Sequence, residues 1–538
     1  MAFSSVKHSF QETGKFSSLI LDYLDDHPAL RALHQGLPSV ASIKEAIERR
    51  RSFPTDRKLL HAALCEQYAS VEIAPPIRTQ LDSLLDENTY TITTAHQCNV
   101  FLGPLYTIFK TLHTIRIAQE LNDQLPDHHF IPVFYMGSED ADIDELNHIH
   151  LIGEKLEWQT TETGSVGRMR VDDNLLRLID RQSQLLSTLP YGSHWIDLIS
   201  RSYIKDSTLA DASFRLLNFL FADRGLIVLQ PDRASLKNSI RDLFWEELTN
   251  GKSAAGVEYG NTQLLGLGYE PQAHARPINL FYLKEGLRAR IEKTEKGWRV
   301  ANTSHSWDEA GLQAELNEHP ERFSPNVILR GVYQETILPN LLYVGGGGEL
   351  AYWLQLKQVF DSYSVPFPLL QLRASVQWMD LHAAQKMQAL GLDQAELFQP
   401  PDSILEGTLD DATRAQLNLD DFVADMEANY GQLTKRAASI DPTLQAHVEA
   451  LRTKAIQKID ALQKKMARAQ RRKMSDLRIQ IDTLQRAIFP GSGLQERWEN
   501  IGYYYAQYGP GYINLIYDHL EPFGRSFFWV VEKPDQSN

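Results

Sequence analysis

The chain has 538 residues, long enough for about two to four domains and at least one large core. Its formal charge of −15 argues against general nucleic-acid binding, which needs a basic face. Cys65 and Cys98 are its only cysteines, too few for a disulfide framework or an all-thiolate zinc site.

No stretch is long and apolar enough to span a bilayer, and Met1 to His8 lack the charged and apolar regions of a signal peptide. A cytoplasmic protein without membrane or nucleic-acid partners is expected. Residues 1–87 read as a mainly helical segment, with Ile43 to Arg51 and Asp56 to Ala69 as helices and no chemical motif. Cys65, among Leu60, Ala62 and Leu64, is expected as a small buried hydrophobe.

A core begins at residue 88. Thr89 to Thr94 is β-branched and reads as a strand. Pro104 suits a first helical turn, and Leu105, Ile108, Phe109, Leu112, Ile115 and Leu121 continue at helical spacing to Asn122. Lys110 falls off that apolar stripe and is expected in solvent. Phe130 to Gly137 is an apolar run of buried-strand length. Strand, helix, strand makes a βαβ unit with a parallel pair, and such sheets bind ligands beyond the carboxyl ends of their strands.

Two polar stretches lie there. The first holds His96, Gln97 and Asn99 before a helix N-terminus, a setting for a phosphate or carboxylate. His96 would add a protonated or donating imidazole, or else simply cap the strand end. The second, Ser138 to Asn147, crowds Glu139, Asp140, Asp142, Asp144 and Glu145 together. It reads either as a solvated acidic loop or as a site for a divalent cation or a substrate ammonium. His148 and His150 alternate on an expected strand, Leu146 to Ile152, but without a third ligand they do not make a zinc site.

Thr208 to Leu220 and Gly225 to Asp232 supply a further helix and strand, ending the first core part at residue 235. Residues 236–325 read as an inserted α+β connecting module, with a helix at Ser235 to Leu248 and short strands near Asn279 to Leu283, Leu287 to Lys293 and Trp298 to Asn302. The core resumes over 326–380, where the strand Leu341 to Val344 runs into Gly345 to Gly348 and a helix from Glu349. This is not a P-loop, lacking the closing Lys-Ser/Thr. The glycines make either a tight turn or an amide cradle for an anion. Val365 to Leu372 adds a strand, with Arg373 and Ser375 at its end.

Residues 381–490 read as a helical hairpin or coiled coil. Apolar or small residues from Leu444 to Ile488 recur at roughly 3.7-residue spacing, with Lys473 filling one turn, which predicts one long, nearly straight helix. Asp411 to Arg436 is its antiparallel partner, and the basic run Lys464 to Lys473 a solvated face. Lys473-Met474-Ser475 is like a signature of class I aminoacyl-tRNA synthetases, but its mid-helix position rules that reading out. Residues 491–538 form an aromatic-rich segment, where Arg497 and Trp498 either pack or hold a phosphate and an adenine.

Four separated blocks resemble one family in order. Thr94-Ala-His-Gln-Cys-Asn-Val-Phe-Leu-Gly-Pro-Leu-Tyr106 is similar to its "TGQQ…TGPLY" stretch, and Ser138 to His148 to "SEDHDFxEVNH". Gly345 to Trp353 is similar to "GGPGEIAYW", and Leu494 to Arg497 with Tyr508 to Pro510 to "LQER…YGP". The family is BshC, the cysteine-adding enzyme of bacillithiol biosynthesis. The resemblance implies an α/β fold: a Rossmann-type parallel-sheet core like that of class I synthetases, with an inserted module and a C-terminal coiled coil that forms a homodimer. It also implies a ligase that joins the cysteine carboxylate to the amine of glucosaminyl malate. His96 stands where the family often has Gln, Ala141 where it has His, and Gly347 where it has Pro.

Residues and resemblance together assign His96, Gln97, Glu139, Asp140, Asp142 and Glu145 to catalysis. Gly346, Gly347, Gly348, Glu349, Arg497, Trp498 and Tyr508 are assigned to a nucleotide, ATP or ADP. Asn99, Ser138, Asn147, Tyr352 and Arg373 are assigned to substrate. Mg²⁺ is a candidate at the acidic stretch; zinc is not expected. The alternative is a non-catalytic ligand-binding or scaffold protein that dimerises through its coiled coil.

Overall fold

Thr89–Gln97 (β1) and His129–Gly137 (β2) form strands buried along nearly their whole length. The structure, a computed structural model describing residues 2–408 and 416–534, pairs them in parallel. Ile227–Leu229 (β3) lies beyond β2, while Asn340–Gly345 (β4) and Leu369–Leu372 (β5) lie beyond β1. The order is β5-β4-β1-β2-β3, with all neighbours parallel. Helices cover both faces of such a sheet, which is why its strands are rich in apolar and β-branched residues and even the threonines of β1 are buried. The register aligns the carboxyl ends on one rim: Gln97 opposite Gly137, Thr94 opposite Val344, and Gly345 opposite Leu372.

Tyr106–Gln124 (α1) leaves that rim and crosses back between β1 and β2. Its polar side is covered too. His113 accepts from the Ala374 N–H at 3.0 Å through Nδ1 and donates from Nε2 to the Glu521 and Pro522 carbonyls at 3.1 and 3.0 Å. Burial holds this imidazole down at about 4, so it is neutral and locked in one tautomer. Lys110, expected in solvent, is instead buried on α1. The apolar stripe assumed one covered face, and the segment after residue 493 covers the other.

Ala234–Asn238 (α2) and Arg241–Asn250 replace the single helix expected over 235–248. The module after them is a five-stranded antiparallel sheet in the order Ser306–Trp307, Gly297–Val300, Leu287–Thr294, Leu280–Lys284, Phe323–Pro325. Val327–Ile337 (α3) and Gly347–Trp353 (α4) flank β4. Residues Ser5–Gln377 and Gly493–Val530 make up this larger compact unit.

The second unit is built mainly on Trp378–Ser492. Asp420–Ala438 (α5) and Leu444–Lys473 (α6) form an antiparallel hairpin across Asp441-Pro442. Residues 411–415 of the expected partner helix lie outside the described residues. The long helix is not continuous: Met474, at φ −97° and ψ 22°, separates α6 from Ser475–Ile488 (α7). The break falls where Lys473 interrupts the apolar repeat.

The larger unit buries a polar cluster behind β1. Glu335 on α3 is fully buried; its Oε1 accepts from Asn340 Nδ2 at 2.7 Å and Gln334 Nε2 at 2.9 Å. Asn340 Oδ1 in turn accepts from Thr93 at 2.8 Å and Thr91 at 3.2 Å. Arg50 donates to the backbone carbonyl of Glu335 at 2.6 Å. Burial, only partly opposed by Arg50, pushes the Glu335 carboxyl up to about 7. A raised folded-state value means that the stabilisation is full below the unfolded value of 4.5 and is lost as pH rises through about 7. Glu335→Gln should therefore flatten the decline of melting temperature between pH 5 and pH 8 and raise it by a few degrees at pH 8. Parallel melting curves for the two proteins would show no difference in slope if Glu335 is not the titrating group.

Candidate active site

A cavity of about 360 Å³ opens at the carboxyl rim of the sheet. β1 contributes Ala95, His96 and Gln97, and β2 and the turn after it contribute Tyr135, Gly137, Glu139 and Asp140. Gly346 to Glu349 and Tyr352 enter from the β4–α4 turn, and Arg373 from the end of β5. Arg288 of the inserted sheet, Arg330 of α3 and Arg497 complete the wall.

The glycine turn is held from below. Lys110 Nζ donates to the Ala95 carbonyl at 2.5 Å and to Glu349 Oε2 at 2.7 Å. The same Oε2 accepts from the Gly346 N–H at 2.8 Å, and Oε1 from the Tyr343 hydroxyl at 2.7 Å. Burial alone would raise the Glu349 carboxyl, but Lys110 and these donors outweigh it and hold it at about 2. Glu349 is thus a committed cap that also occupies the Gly346 amide, leaving Gly347 and Gly348 to face the cavity.

The arginines fall into two kinds. Arg373 is buried in a two-pronged pair with Glu496 at 2.7 and 2.8 Å, so its charge is already answered. Arg330 is oriented by neutral groups, the Tyr352 hydroxyl at 2.9 Å, the Tyr343 hydroxyl at 3.4 Å and Gln334 Oε1 at 3.1 Å. Arg288 stacks over Phe281 at 3.9 Å, and its Nε is buried without a hydrogen-bond partner. Among the described residues neither these two nor Arg497 forms an ion pair. The cavity therefore presents three arginine charges to whatever enters.

Two carboxylates line the same cavity, and Arg288 stands close enough to feel the charge of both. Gln97 Nε2 donates to Asp140 Oδ2 at 3.1 Å, and Asp140 Oδ1 accepts from the Ala141 N–H at 2.7 Å. Glu139 accepts from Lys237 through Oε1. His96 is neutral, not protonated as one reading of the sequence had it: burial, then Lys110, hold its imidazole at about 3. Its Nε2 is buried without a partner and so is available to a ligand.

Of the residues singled out in the sequence, His96, Gln97, Glu139, Asp140, Gly346, Gly347, Gly348, Glu349, Tyr352, Arg373 and Arg497 line this one cavity. Others do not. Asp142 and Glu145 are exposed, because a single helical turn at Ile143–Leu146 disperses the acidic run. Asn99 is buried beneath the Gly103 turn, Ser138 borders a separate cavity with Arg168 and Asp232, and Asn147 pairs with its hairpin neighbours Glu157 and His148. Trp498 stacks on His150 at 3.8 Å, and Tyr508 on Tyr512. Neither ring reaches the cavity, so an adenine would find no platform from them there. His148 and His150 do share one face, as expected, with ring centroids 5.4 Å apart.

Cys65 is half-buried rather than buried, its Sγ 3.5 Å from His61 Nε2. Among the described residues no three His, Cys, Asp or Glu side chains cluster to hold a metal ion. Arg288, Arg330 and Lys237 were missed. Nothing local in the sequence marks them, because each arrives from an element whose partner lies far along the chain.

Residues 1–374 match the family domain described as "Bacillithiol biosynthesis BshC, N-terminal Rossmann-like domain", and residues 376–532 its "C-terminal coiled-coil domain". Among curated relatives named "Putative cysteine ligase BshC", one from Flavobacterium johnsoniae is 35% identical, covering 96% of this chain and 98% of that protein. One from Flavobacterium psychrophilum is 36% identical over the same shares, and one from Cytophaga hutchinsonii 33% identical over 97% and 98%. Both domains and near-full-length relatives agree: the chain belongs to the BshC family of bacillithiol biosynthesis.

Proposed function

We propose that the cavity joins the cysteine carboxylate to the amine of glucosaminyl malate as a nucleotide-dependent ligase. One observation carries the reading: three arginines that form no ion pair among the described residues share a single cavity with Glu139 and Asp140, and Arg288 stands near both carboxylates. The arginine wall suits carboxylate or phosphate oxygens, and the carboxylate side suits an ammonium and, later, its proton. A nucleotide would supply the leaving group that a free carboxylate lacks: a carboxylate oxygen bonds to one of its phosphorus atoms as the phosphoanhydride bond there breaks, and the electron pair leaves with the departing phosphate group. As the amine nitrogen bonds to the acyl carbon, the bond from that carbon to the leaving oxygen breaks and its electron pair departs with the oxygen. The proton released from nitrogen passes to Glu139 or Asp140 in the same cavity. The partnerless Nε2 of His96 and the amides of Gly347 and Gly348 are placed to hydrogen-bond the oxygens that gain charge.

Incubation with cysteine, glucosaminyl malate and ATP, or ADP in a parallel arm, should give the amide by mass spectrometry only when all three components are present. Nucleotide consumption that ignores the amine would refute ligation. Asp140→Asn should lower kcat/KM by about 10²-fold or more at unchanged melting temperature. Arg330→Gln should chiefly raise KM, by tens of fold, as loss of a charge-assisted contact predicts. A scaffold protein would be indifferent to both.

The coiled-coil unit is read as the contact between two copies. Neither α5 nor α6 has a buried residue, and Phe422, Leu433 and Leu462 stand 64%, 51% and 51% exposed. A second copy would cover this apolar face. Light scattering should give twice the 61.3 kDa chain mass at micromolar concentration. A monomer at that concentration counts against the dimer.

A further inference from the structure

Behind Glu139 lies a chain of charges that neither the reaction nor the family description assigns. Lys237, on α2, is fully buried. Its ammonium donates to Glu139 Oε1, to Asp232 Oδ1 at 2.7 Å and to the Glu321 carbonyl at 3.2 Å. Asp232 is gripped from its other side by Arg168, at 2.6 and 2.8 Å, and Arg168 also donates to the Glu321 carbonyl at 2.9 Å. All three of the ammonium's donors are used, each on a different segment, so Lys237 cannot swing away. Glu139 Oε2 accepts no hydrogen bond from the described residues, and Glu139 lines the cavity.

We infer that Lys237 is a positioning residue: it fixes the Glu139 carboxylate in the cavity wall and sets the pH at which that carboxylate can take the proton from the attacking amine. This rests on the ligase reading above. A lone buried ammonium is costly, and so is a lone buried carboxylate; held together and further hydrogen-bonded, they persist. The ammonium is divided between Asp232 and Glu139. Sharing it with a cavity-lining carboxylate ties the fold to the chemistry of the site. The charged groups around Glu139 are Lys237 and Asp232 behind it, Arg288 from the inserted sheet, and Asp140 next to it in the chain. Arg168 is one step removed, beyond Asp232. Burial pushes the Glu139 carboxyl up, Lys237 pulls it down, Asp232 pushes it up again, and Arg288 adds a smaller pull down. The ammonium and its other carboxylate partner, Asp232, thus act on Glu139 with opposite sign.

That opposition supplies the test. In the full-length protein, Lys237→Met should move the acidic limb of the kcat/KM profile up by about one pH unit or more, Lys237→Gln by less, and Asp232→Asn should move it down. A role in stability alone would lower activity or melting temperature and leave the limb in place, which would overturn the inference. Isotope-edited infrared titration of the ¹³C-glutamate carboxyl band, assigned by its loss in Glu139→Gln, reads the same shifts without turnover. Unchanged band midpoints in the variants that fold overturn the positioning role even if ligation is found. Shifted midpoints in a protein that makes no amide sustain the Lys237–Glu139 coupling and sink the ligase reading instead.

Discussion

One buried ion pair holds the rim of the sheet together. Lys110 reaches from α1 to the end of β1 and to Glu349 at the start of α4, so two successive elements and a turn 239 residues further on meet at a single nitrogen. Removing one partner of such a pair leaves an uncompensated charge at a cost of about 3–5 kcal/mol. Glu349 shows how the cost is met. Its carboxylate accepts from an ammonium, a phenol and a backbone amide, and at about 2 it stays ionised far below neutral pH. The turn Gly345–Gly348 is therefore set before any ligand arrives, with Gly347 and Gly348 turned to the cavity rather than folded over it.

The same accounting of partners decides what the cavity can bind. Arg373 and Arg330 both line it, yet Glu496 answers the first and only tyrosine hydroxyls and an amide orient the second. Hydroxyls fix a guanidinium in place without cancelling its charge. Arg330 is thus rigid and still cationic, the state in which an arginine binds an anion with least loss of side-chain entropy. Arg288 reaches the same condition by another route, with Phe281 against its face and one nitrogen buried without an acceptor. An unsatisfied buried donor is a standing cost that an incoming oxygen would relieve.

Much of this was legible in the sequence, and the reason is local. Strand β1, the glycine turn and the β2 end carry their own punctuation, so the rim and its polar residues His96, Gln97, Glu139, Asp140 and Gly346 could be placed together before coordinates. What stayed hidden depends on contacts between distant segments. Lys110 looked exposed because nothing in residues 105–122 announces that residues beyond 493 cover the polar side of that helix. Arg288 sits on a strand whose alternation is ordinary, and only the placing of the inserted sheet brings it to Asp140. The acidic run misled in the opposite way. Five carboxylates in seven residues look like one site, but a single turn of helix points most of them outward.

The state of His96 then narrows the chemistry. A neutral imidazole whose conjugate acid has a value of about 3 is a weak base, and near neutral pH it offers a hydrogen bond and no charge. Burial makes it so and Lys110 reinforces it, while Glu349, the other half of that ion pair, pulls the opposite way. In the proposed ligation the proton of the attacking amine would therefore go to a carboxylate that follows β2. Asp140 is oriented by Gln97 and Glu139 by Lys237. Lys110 and Lys237 each belong to a network fastened to the core sheet, so the cations that act on His96 and on Glu139 are both positioned by the fold itself.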